Sequence, residues 1–260
     1  MIALIGSTGF IGSAFARALE ARSVKFIALE RDAIYNQLVD VVIDANGNSK
    51  KFIAEKHPHF DFQSSVASVS SRLTSLRYST YVYLSSGEVY GVDQYVSNSS
   101  EDVCILEPAR SYYGMHRRLA EFLVGAHAKR NFIFRLGGFT GNGLRKNPVY
   151  DIVNGNALFV HPDSAFQFMD VDFAANLMLD LLFQHKQDED EQQLNKNEQE
   201  RFIPFEIVID FQKRLAEQYI TNPTYKNNQD LVFISLYRYL PQRDELKQLE
   251  LLKLIKIMYI

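Results

Sequence analysis

The feature that most constrains the fold of this chain is a glycine-rich turn close to its first residue. Residues 2–5 form a short apolar run, GSTGFIG follows over residues 6–12, and SAFARALEAR then has helical spacing. A strand, a glycine turn and a helix in this order predict the first unit of a doubly wound parallel sheet. A glycine-rich turn without a ligand is the alternative, because this spacing also occurs by chance.

Each glycine of this turn has a predicted role in binding the pyrophosphate of a dinucleotide. The first allows the tight turn, the second lets backbone amides approach the phosphates, and the third allows close packing of helix and strand. The phosphates would lie at the helix N-terminus, where unpaired N–H groups and the helix dipole favour negative charge. The predicted cofactor-binding residues of the turn are Gly6, Gly9, Phe10, Ile11 and Gly12.

The next strand pattern, SVKFIALE, ends at an acidic residue, Glu30. A carboxylate at this place accepts hydrogen bonds from the adenosine ribose 2′-hydroxyl and repels a 2′-phosphate, which predicts NAD. Arg31 follows directly and could instead bind a 2′-phosphate, so NADP stays open as an alternative. A solvated strand end is the other interpretation of this pair.

Composition narrows the classes of function. The chain has 260 residues, of which 47% are apolar, so it can bury a sizeable core. Its formal net charge of −3, without a concentrated basic patch, argues against nucleic-acid binding. One cysteine, Cys104, forms no internal disulfide and has no metal-site spacing, so we expect no metal and a cytoplasmic location. Neither a signal peptide nor a membrane span is predicted.

Five motifs together resemble the extended short-chain dehydrogenases of the NAD-dependent epimerase/dehydratase family. They are GSTGFIG, LSSGEVYG, YYGMHRRLAE, FRLGGFTGNG and FQFMDVDFAANLML, and they span about residues 1–183. The resemblance implies an α/β fold, a Rossmann-type doubly wound parallel sheet with a small, mostly helical C-terminal substrate domain. The expected division is a dinucleotide-binding domain over 1–143 and a substrate domain over 144–260, with 166–184 returning to the Rossmann half and 185–200 forming a polar loop or the polar end of a helix.

The same resemblance implies the catalytic residues. In this family a serine or threonine ends a strand, and the tyrosine of a Tyr-x-x-x-Lys helix is the acid/base. The following glycine and Glu121, eight residues on, select Tyr113 rather than Tyr112, and the serine is Ser86. Ser86 would hydrogen-bond the reacting oxygen while Tyr113 gives or takes its proton. The structural alternative is a serine at a strand end and a buried, satisfied tyrosine.

Arg117 stands where this family has its lysine, on the same helix face as Tyr113. It keeps the positive charge that favours a tyrosinate, but a planar guanidinium fork does not replace a compact ammonium. We therefore expect reduced or altered catalysis with cofactor binding retained. The competing interpretation is a dinucleotide-binding module with a regulatory or structural role.

Two further departures and one shared residue bear on the substrate. Gly138 replaces an asparagine that contacts the substrate in this family, and only RDAIYNQL, residues 31–38, separates the second strand from VDVVIDANG. The sheet is therefore expected to be one strand short or to build its adenine edge differently, which resembles the dTDP-4-dehydrorhamnose reductase branch. Glu88 stands where dehydrating or decarboxylating members have a catalytic glutamate, although an exposed loop residue is the simpler interpretation.

The expected function is thus that of an NAD(P)-dependent epimerase, dehydratase or reductase acting on a sugar, which is expected to be nucleotide-linked. A homodimer through the Tyr113 helix is expected, as in many members of this family. Arg145 and Lys146 in the second half could contact phosphates or be ordinary surface charges. His161 has no partner spacing and is interpreted as structural or solvated.

Overall fold

The structure is a computed structural model that describes residues 1–30, 38–90, 111–160, 165–194, 205–210 and 231–235. Its strands are β1 (Ile2–Ile5), β2 (Phe26–Leu29), β3 (Leu38–Asp44), β4 (Arg77–Ser86), β5 (Arg130–Leu136), β6 (Gly138–Thr140), β7 (Ala165–Asp170), β8 (Phe205–Asp210) and β9 (Leu231–Ser235). Its α-helices are α1 (Phe10–Ala21), α2 (Lys51–Lys56), α3 (Pro58–Phe62), α4 (Ser68–Ser75), α5 (Tyr112–His127), α6 (Pro148–Val153) and α7 (Val171–Leu194).

Six strands form one parallel sheet in the order β2-β1-β3-β4-β5-β8. A parallel sheet is covered on both faces, which explains why β1 consists of four buried apolar residues. The doubly wound parallel sheet predicted from the sequence is confirmed. Strands β6, β7 and β9 form a second sheet, in which β7 pairs parallel with β6 and antiparallel with β9.

The edge of the main sheet beside β2 is shorter than in the usual dinucleotide-binding order. β2 and β3 pair with opposite sides of β1, and β2 is the outermost of the described strands on its side. The common order 3-2-1-4-5-6 has two strands on that side of the first strand. The expectation of a sheet one strand short therefore agrees with the strands that the structure describes.

Alternate residues of β1 face two separate cores. Ile2 and Leu4 belong to a cluster that includes residues of α1 and α7, whereas Ala3 and Ile5 belong to a cluster that includes residues of α4 and α5. This alternation follows from the period of two in a strand. The sheet thus has a helix layer on each face.

Helix α7 packs against α1 through ion pairs and hydrogen bonds as well as apolar contacts. Arg17 Nε donates to Asp172 Oδ1 over 2.9 Å, and Arg22 Nη2 donates to Asn176 Oδ1 over 3.0 Å. Asp170 begins the helix by accepting from the backbone N–H groups of the second and third residues that follow it. Residues 166–184 therefore lie against the first helix of the Rossmann unit.

The structure bears on two expectations for the second half, of which the second needs correction. The polar segment 185–200 was expected as a loop or a helix end, and α7 continues to Leu194, so residues 185–194 are the helix end. β8 pairs with β5 in the main sheet although residues 144–260 were assigned to a substrate domain. FEIVID has the apolar, β-branched composition of a strand covered on both faces, which explains this placement.

Other expectations fall outside the described residues, including those for Cys104 and His161. Within the described ranges, no helix combines the length and the apolar character that crossing a membrane requires. In the same ranges, no three histidine, cysteine or acidic residues are grouped closely enough to hold a metal ion.

Candidate active site

The glycine turn between β1 and α1 is too tight for any side chain at two of its positions. Gly6 has φ +78°, and a Cβ built on it would lie 2.9 Å from the carbonyl oxygen of Ala45. A Cβ on Gly12 would lie 2.0 Å from the carbonyl oxygen of Gly6. The Gly9 N–H donates to that same Gly6 oxygen over 2.9 Å. The first and third glycines are therefore required by the backbone path itself.

The N-terminus of α1 is arranged to receive an anion. Gly9 occupies the N-cap position, and no side chain in the described part of the chain caps the helix there. Phe10 and Ile11 follow as half-buried residues of the first turn. Helix N-terminal amides without a capping side chain are a common site for phosphate oxygens. The turn fits the pyrophosphate that the sequence predicts.

The residue predicted to bind the adenosine ribose lies at the edge of the sheet. Glu30 follows the last residue of β2 and is exposed. This places it at the carboxyl edge, on the same side of the sheet as the glycine turn. Arg31 lies outside the described residues, so the choice between NAD and NADP stays with the sequence-based prediction.

The end of β4 and the start of α5 meet through a glycine. Ser111 begins α5 by accepting from the Gly114 N–H over 3.0 Å. A Cβ on Gly114 would lie 2.5 Å from the carbonyl oxygen of Glu88, so the helix passes directly against the short 3₁₀ turn after Ser86. The Glu88 N–H in turn contacts Ser86 Oγ at 3.3 Å. This approach brings Tyr113 and Ser86 to one end of the sheet.

Tyr113 and Arg117 face the same way, as their spacing predicts, and Arg117 is held by protein acceptors. Its guanidinium carbon lies 5.2 Å from the centre of the Tyr113 ring. Nη1 donates to Tyr83 Oη and to the Leu84 carbonyl, both over 3.1 Å, and Nη2 donates to the Asn48 carbonyl over 2.8 Å. Arg117 therefore joins α5 to the ends of β4 and β3.

The surroundings of this guanidinium keep it charged. Burial opposes the charged form of Arg117, but attraction to the phenol groups of Tyr113 and Tyr83 outweighs burial, and its pKa lies above the ordinary value. Burial also raises the pKa of Tyr83 to about 12, although Arg117 opposes this shift. Gly47 adopts φ +135°, and a Cβ there would lie 3.2 Å from Arg117 Nη2, so the loop after β3 makes room for the arginine.

Glu88 is engaged in an ion pair at the edge of this group. Its Oε2 accepts from Lys51 Nζ over 2.7 Å, and both side chains contact solvent. The structure therefore brings the predicted catalytic residues Ser86, Glu88, Tyr113 and Arg117 to one place. The ion pair agrees with the interpretation of Glu88 as a loop residue.

Gly138, at the position of the family's asparagine, begins β6 and pairs with Phe168 of β7. It lies two residues after the end of β5, as Glu88 lies two residues after the end of β4. No side chain of Gly138 can reach a substrate, so any polar contact from this position must come from its backbone.

A buried polar network behind Arg117 has no signature in the sequence. Asp61 is fully buried; its Oδ2 lies 2.6 Å from His116 Nδ1, and its Oδ1 accepts from Asn48 Nδ2 over 2.8 Å. Asn48 is the residue whose carbonyl receives Arg117. Asp61 thus fixes the loop that holds the arginine, and its partners are too distant in sequence to be found by spacing.

Glu121, the residue that set the register of the tyrosine, anchors α5 to the sheet. Its carboxylate accepts from Arg135 Nη2 over 2.8 Å and from Ser85 Oγ. Burial opposes the charge of Arg135, but Glu121 and Tyr90 outweigh it, and the pKa of Arg135 lies above its ordinary value. Arg117 and Glu121, one turn apart, therefore both attach the helix that carries Tyr113 to the sheet.

Comparison with known proteins finds this fold among solved structures. No family model matches the sequence, and no curated protein sequence matches it. TunA, an NAD-dependent NDP-hexosamine 5,6-dehydratase involved in tunicamycin biosynthesis, is 18% identical with a TM-score of 0.63, covering 86% of this chain and 82% of its own. This chain has its fold. A UDP-galactose 4-epimerase is 20% identical with a TM-score of 0.59, covering 80% and 76%. RMD from Pseudomonas aeruginosa, solved with NADPH, is 21% identical with a TM-score of 0.57, covering 70% and 74%.

Proposed function

We propose that this chain is an NAD(P)-dependent enzyme of the epimerase, dehydratase or reductase type that acts on a nucleotide-linked sugar, as a member of the family whose motifs it resembles. The observation that carries the proposal is the meeting of Ser86, Tyr113 and a buried cation at the sheet edge that also bears the glycine turn. The solved structures with the same fold support it, since those compared include a nucleotide-sugar dehydratase and an epimerase. The cytoplasm is the proposed compartment.

The residues present fit a dinucleotide. The turn from Gly6 to Gly12 would hold the pyrophosphate, because a backbone without side chains and uncapped amides is what such a group needs. Glu30 would hold the adenosine ribose, which favours NAD, and Arg31 keeps NADP as the alternative. When bound, the nicotinamide accepts or supplies a hydride.

The protein side of the reaction is proton transfer at the sugar oxygen. Ser86 would orient that oxygen by a hydrogen bond. During oxidation of an alcohol, Tyr113 takes the hydroxyl proton as the hydride leaves carbon, and during reduction it returns the proton. The Arg117 guanidinium carbon lies 5.2 Å from the centre of the Tyr113 ring, so its charge would attract the negative charge that develops on the Tyr113 oxygen during proton transfer. Glu88 could act as a second base only after leaving Lys51.

The test begins with calorimetric titration of the whole chain with NAD, NADH, NADP and NADPH. Binding of the oxidised and reduced forms of one cofactor is expected at micromolar concentrations. A turnover screen with UDP- and dTDP-linked sugars then follows. Tyr113→Phe is expected to lower turnover by at least about a hundredfold, as loss of a general acid/base does. Tyr112→Phe is the matched control, because Tyr112 is exposed and, as the neighbouring residue of α5, points about 100° away from Tyr113 around the helix axis. Absence of binding at millimolar cofactor, or equal turnover in both variants, rules the proposal out.

A second candidate function is a dinucleotide-binding module without turnover. The observation that favours it is the engagement of both terminal nitrogens of Arg117 by protein acceptors. In that case the glycine turn binds the cofactor with the same affinity in Tyr113→Phe, and no sugar on the panel is converted.

We also propose that the chain pairs with a second copy through α5. Four apolar residues, spaced so as to share one face of this helix, are exposed: Tyr112, Met115, Leu119 and Phe122. An exposed apolar row of this size is a common mark of an interaction surface. Light scattering is expected to give the mass of a dimer for the wild type and of a monomer for Phe122→Glu. Phe159→Glu is the control, since Phe159 is also exposed but lies outside α5. A monomeric wild type removes this proposal.

A further inference from the structure

The loop after β6 reaches across to the loop after β3 by a single lysine. Lys146 Nζ donates to the backbone carbonyl of Ser49 and, over 3.0 Å, to Ser49 Oγ. Ser49 follows Asn48, the residue that receives Arg117, and precedes Lys50. Lys146 therefore contacts the residue that lies between Asn48, which receives Arg117, and Lys50.

Lys50 and Arg117 both repel the ammonium of Lys146 here. Of the described carboxylates at this group, Glu55 accepts from the Tyr113 N–H over 3.4 Å. The acceptors of Lys146 and of Arg117 are neutral oxygens, and neither Lys50 nor Lys146 has an ion pair within the described residues. The carboxylate of Glu88 is already bound to Lys51. Although Lys146 is exposed along its side chain, its ammonium lies against the protein. Burial of that ammonium, and then repulsion by Lys50 and Arg117, lower the pKa of Lys146 to about 8.

The backbone next to Lys146 is held in an unusual conformation. Asn147 has φ +131° and ψ 171°, a region that is almost restricted to glycine. Its side chain fixes the loop on both sides, because Nδ2 donates to the Phe139 carbonyl over 2.7 Å and Oδ1 accepts from the Tyr150 N–H over 2.9 Å. Strain of this kind costs about 1 to 3 kcal/mol and is concentrated at functional sites. The fold thus holds the backbone next to Lys146 in a conformation that costs free energy.

We propose that Lys50 and Lys146 form a binding site for an oxyanion group that the substrate carries, a phosphate or a carboxylate, which displaces Ser49 from Lys146. That the substrate is the molecule that carries this group rests on the proposed function, whereas the anion site itself does not. We assign the dinucleotide's own pyrophosphate to the glycine turn after β1, whereas Lys50 lies six residues beyond the end of β3 and follows the loop that receives Arg117. Anion binding would remove the repulsion among the three cations.

The experiment is calorimetric titration of the full chain with UDP and with D-glucuronate, each with saturating NAD present. At least one of these probes is expected to bind. Lys146→Gln and Lys50→Gln should each weaken it by about tenfold, because a charge-assisted hydrogen bond is worth at least about 1.4 kcal/mol. Lys56→Gln is the matched control: it removes the same charge from an exposed position in α2 and should leave the affinity unchanged. Equal affinity in all three variants overturns the proposal, as does the failure of both probes to bind.

The pH dependence of the anion affinity distinguishes a contact with the Lys146 ammonium from a general effect of positive charge. Anion binding favours the protonated lysine, so affinity is highest below the pKa of free Lys146, about 8, and falls as pH rises from about 7 to 9. Lys146→Gln should abolish this fall, whereas Lys50→Gln should keep it. A wild-type affinity that is constant over this range contradicts the assignment of Lys146.

The two probes and the cofactor identify the source of the anion. Binding of UDP indicates the phosphates of a nucleotide, and binding of D-glucuronate alone indicates a sugar carboxylate. A Lys146→Gln variant that weakens NAD instead of either probe overturns the assignment to the substrate. If the wild type binds the probes with this pH dependence in the absence of NAD but never binds NAD, the anion site stands and the proposed function fails.

Discussion

Replacement of Arg117 with lysine is expected to lower the free energy of unfolding by about 3 kcal/mol. The guanidinium makes three hydrogen bonds from two different nitrogens, to acceptors on β4 and on the loop after β3. A lysine has one terminal nitrogen, so it cannot serve Leu84 and Asn48 in this geometry at once. A lost charge-assisted bond costs about 1.5 to 3 kcal/mol, and a buried carbonyl left without a donor adds about 1 to 3 kcal/mol.

Urea denaturation followed by circular dichroism measures this loss. With an m value of about 3 kcal/mol/M, a change of about 3 kcal/mol moves the midpoint down by about 1 M. Arg77→Lys is the matched control, because Arg77 is exposed at the start of β4 and the same exchange there should change stability by less than about 0.5 kcal/mol. A midpoint within about 0.2 M of the wild type, with an equal m value, would refute the idea that Arg117 joins α5 to the two strand ends.

The same variant tests the chemistry. If the guanidinium fork handicaps catalysis, turnover per folded molecule should rise in Arg117→Lys. Equal turnover would show that the charge beside Tyr113 matters and the shape of the group that carries it does not. Lower turnover would show that the guanidinium itself supports the reaction, and either result would contradict the expected handicap.

Three further outcomes follow from the contacts around the site. Gly12→Ala should abolish cofactor binding and destabilise the fold, since its Cβ would lie 2.0 Å from the Gly6 carbonyl; unchanged titration with NAD would contradict the glycine turn as the cofactor site. Asp61→Asn should lower unfolding free energy by about 2 to 4 kcal/mol, because one carboxylate oxygen that serves His116 or Asn48 is replaced by an amide; an unchanged urea midpoint would argue against the network. Glu88→Gln should change stability by less than about 1 kcal/mol and turnover by less than about threefold, as expected for an exposed ion pair, whereas a loss above about a hundredfold would make Glu88 catalytic.

The glycine turn shows where sequence reasoning succeeds. Gly6, Gly9 and Gly12 act on one another within seven residues, so their roles are local and their spacing is sufficient to predict them. The pairing of Tyr113 with Arg117 is also a local relation, since residues four apart share a helix face. The structure places Tyr113 over Arg117 and leaves Tyr112 exposed.

The partners of Arg117 show where it fails. The motif is sufficient to recognise that Arg117 stands at the position of the family's lysine. Its hydrogen-bond acceptors, however, are a tyrosine 34 residues earlier and the backbone carbonyls of residues 33 and 69 positions earlier. Carbonyl oxygens belong to every residue and leave no mark on the sequence. The Lys146–Ser49 contact, over a separation of 97 residues, was invisible for the same reason.

The sequence by itself determined the class of fold, the glycine turn and the shared helix face of Tyr113 and Arg117, because apolar periodicity, glycine spacing and helix geometry act over a few residues. Only the tertiary structure decided that β3 lies beside β1, that β8 joins the main sheet, and that α7 extends through the polar segment. It alone also showed how Asp61, Asn48 and Arg117 form one network and where Lys146 meets Lys50. These features depend on which distant strand ends pack together, and parallel crossovers bring such ends to one edge without any local signal.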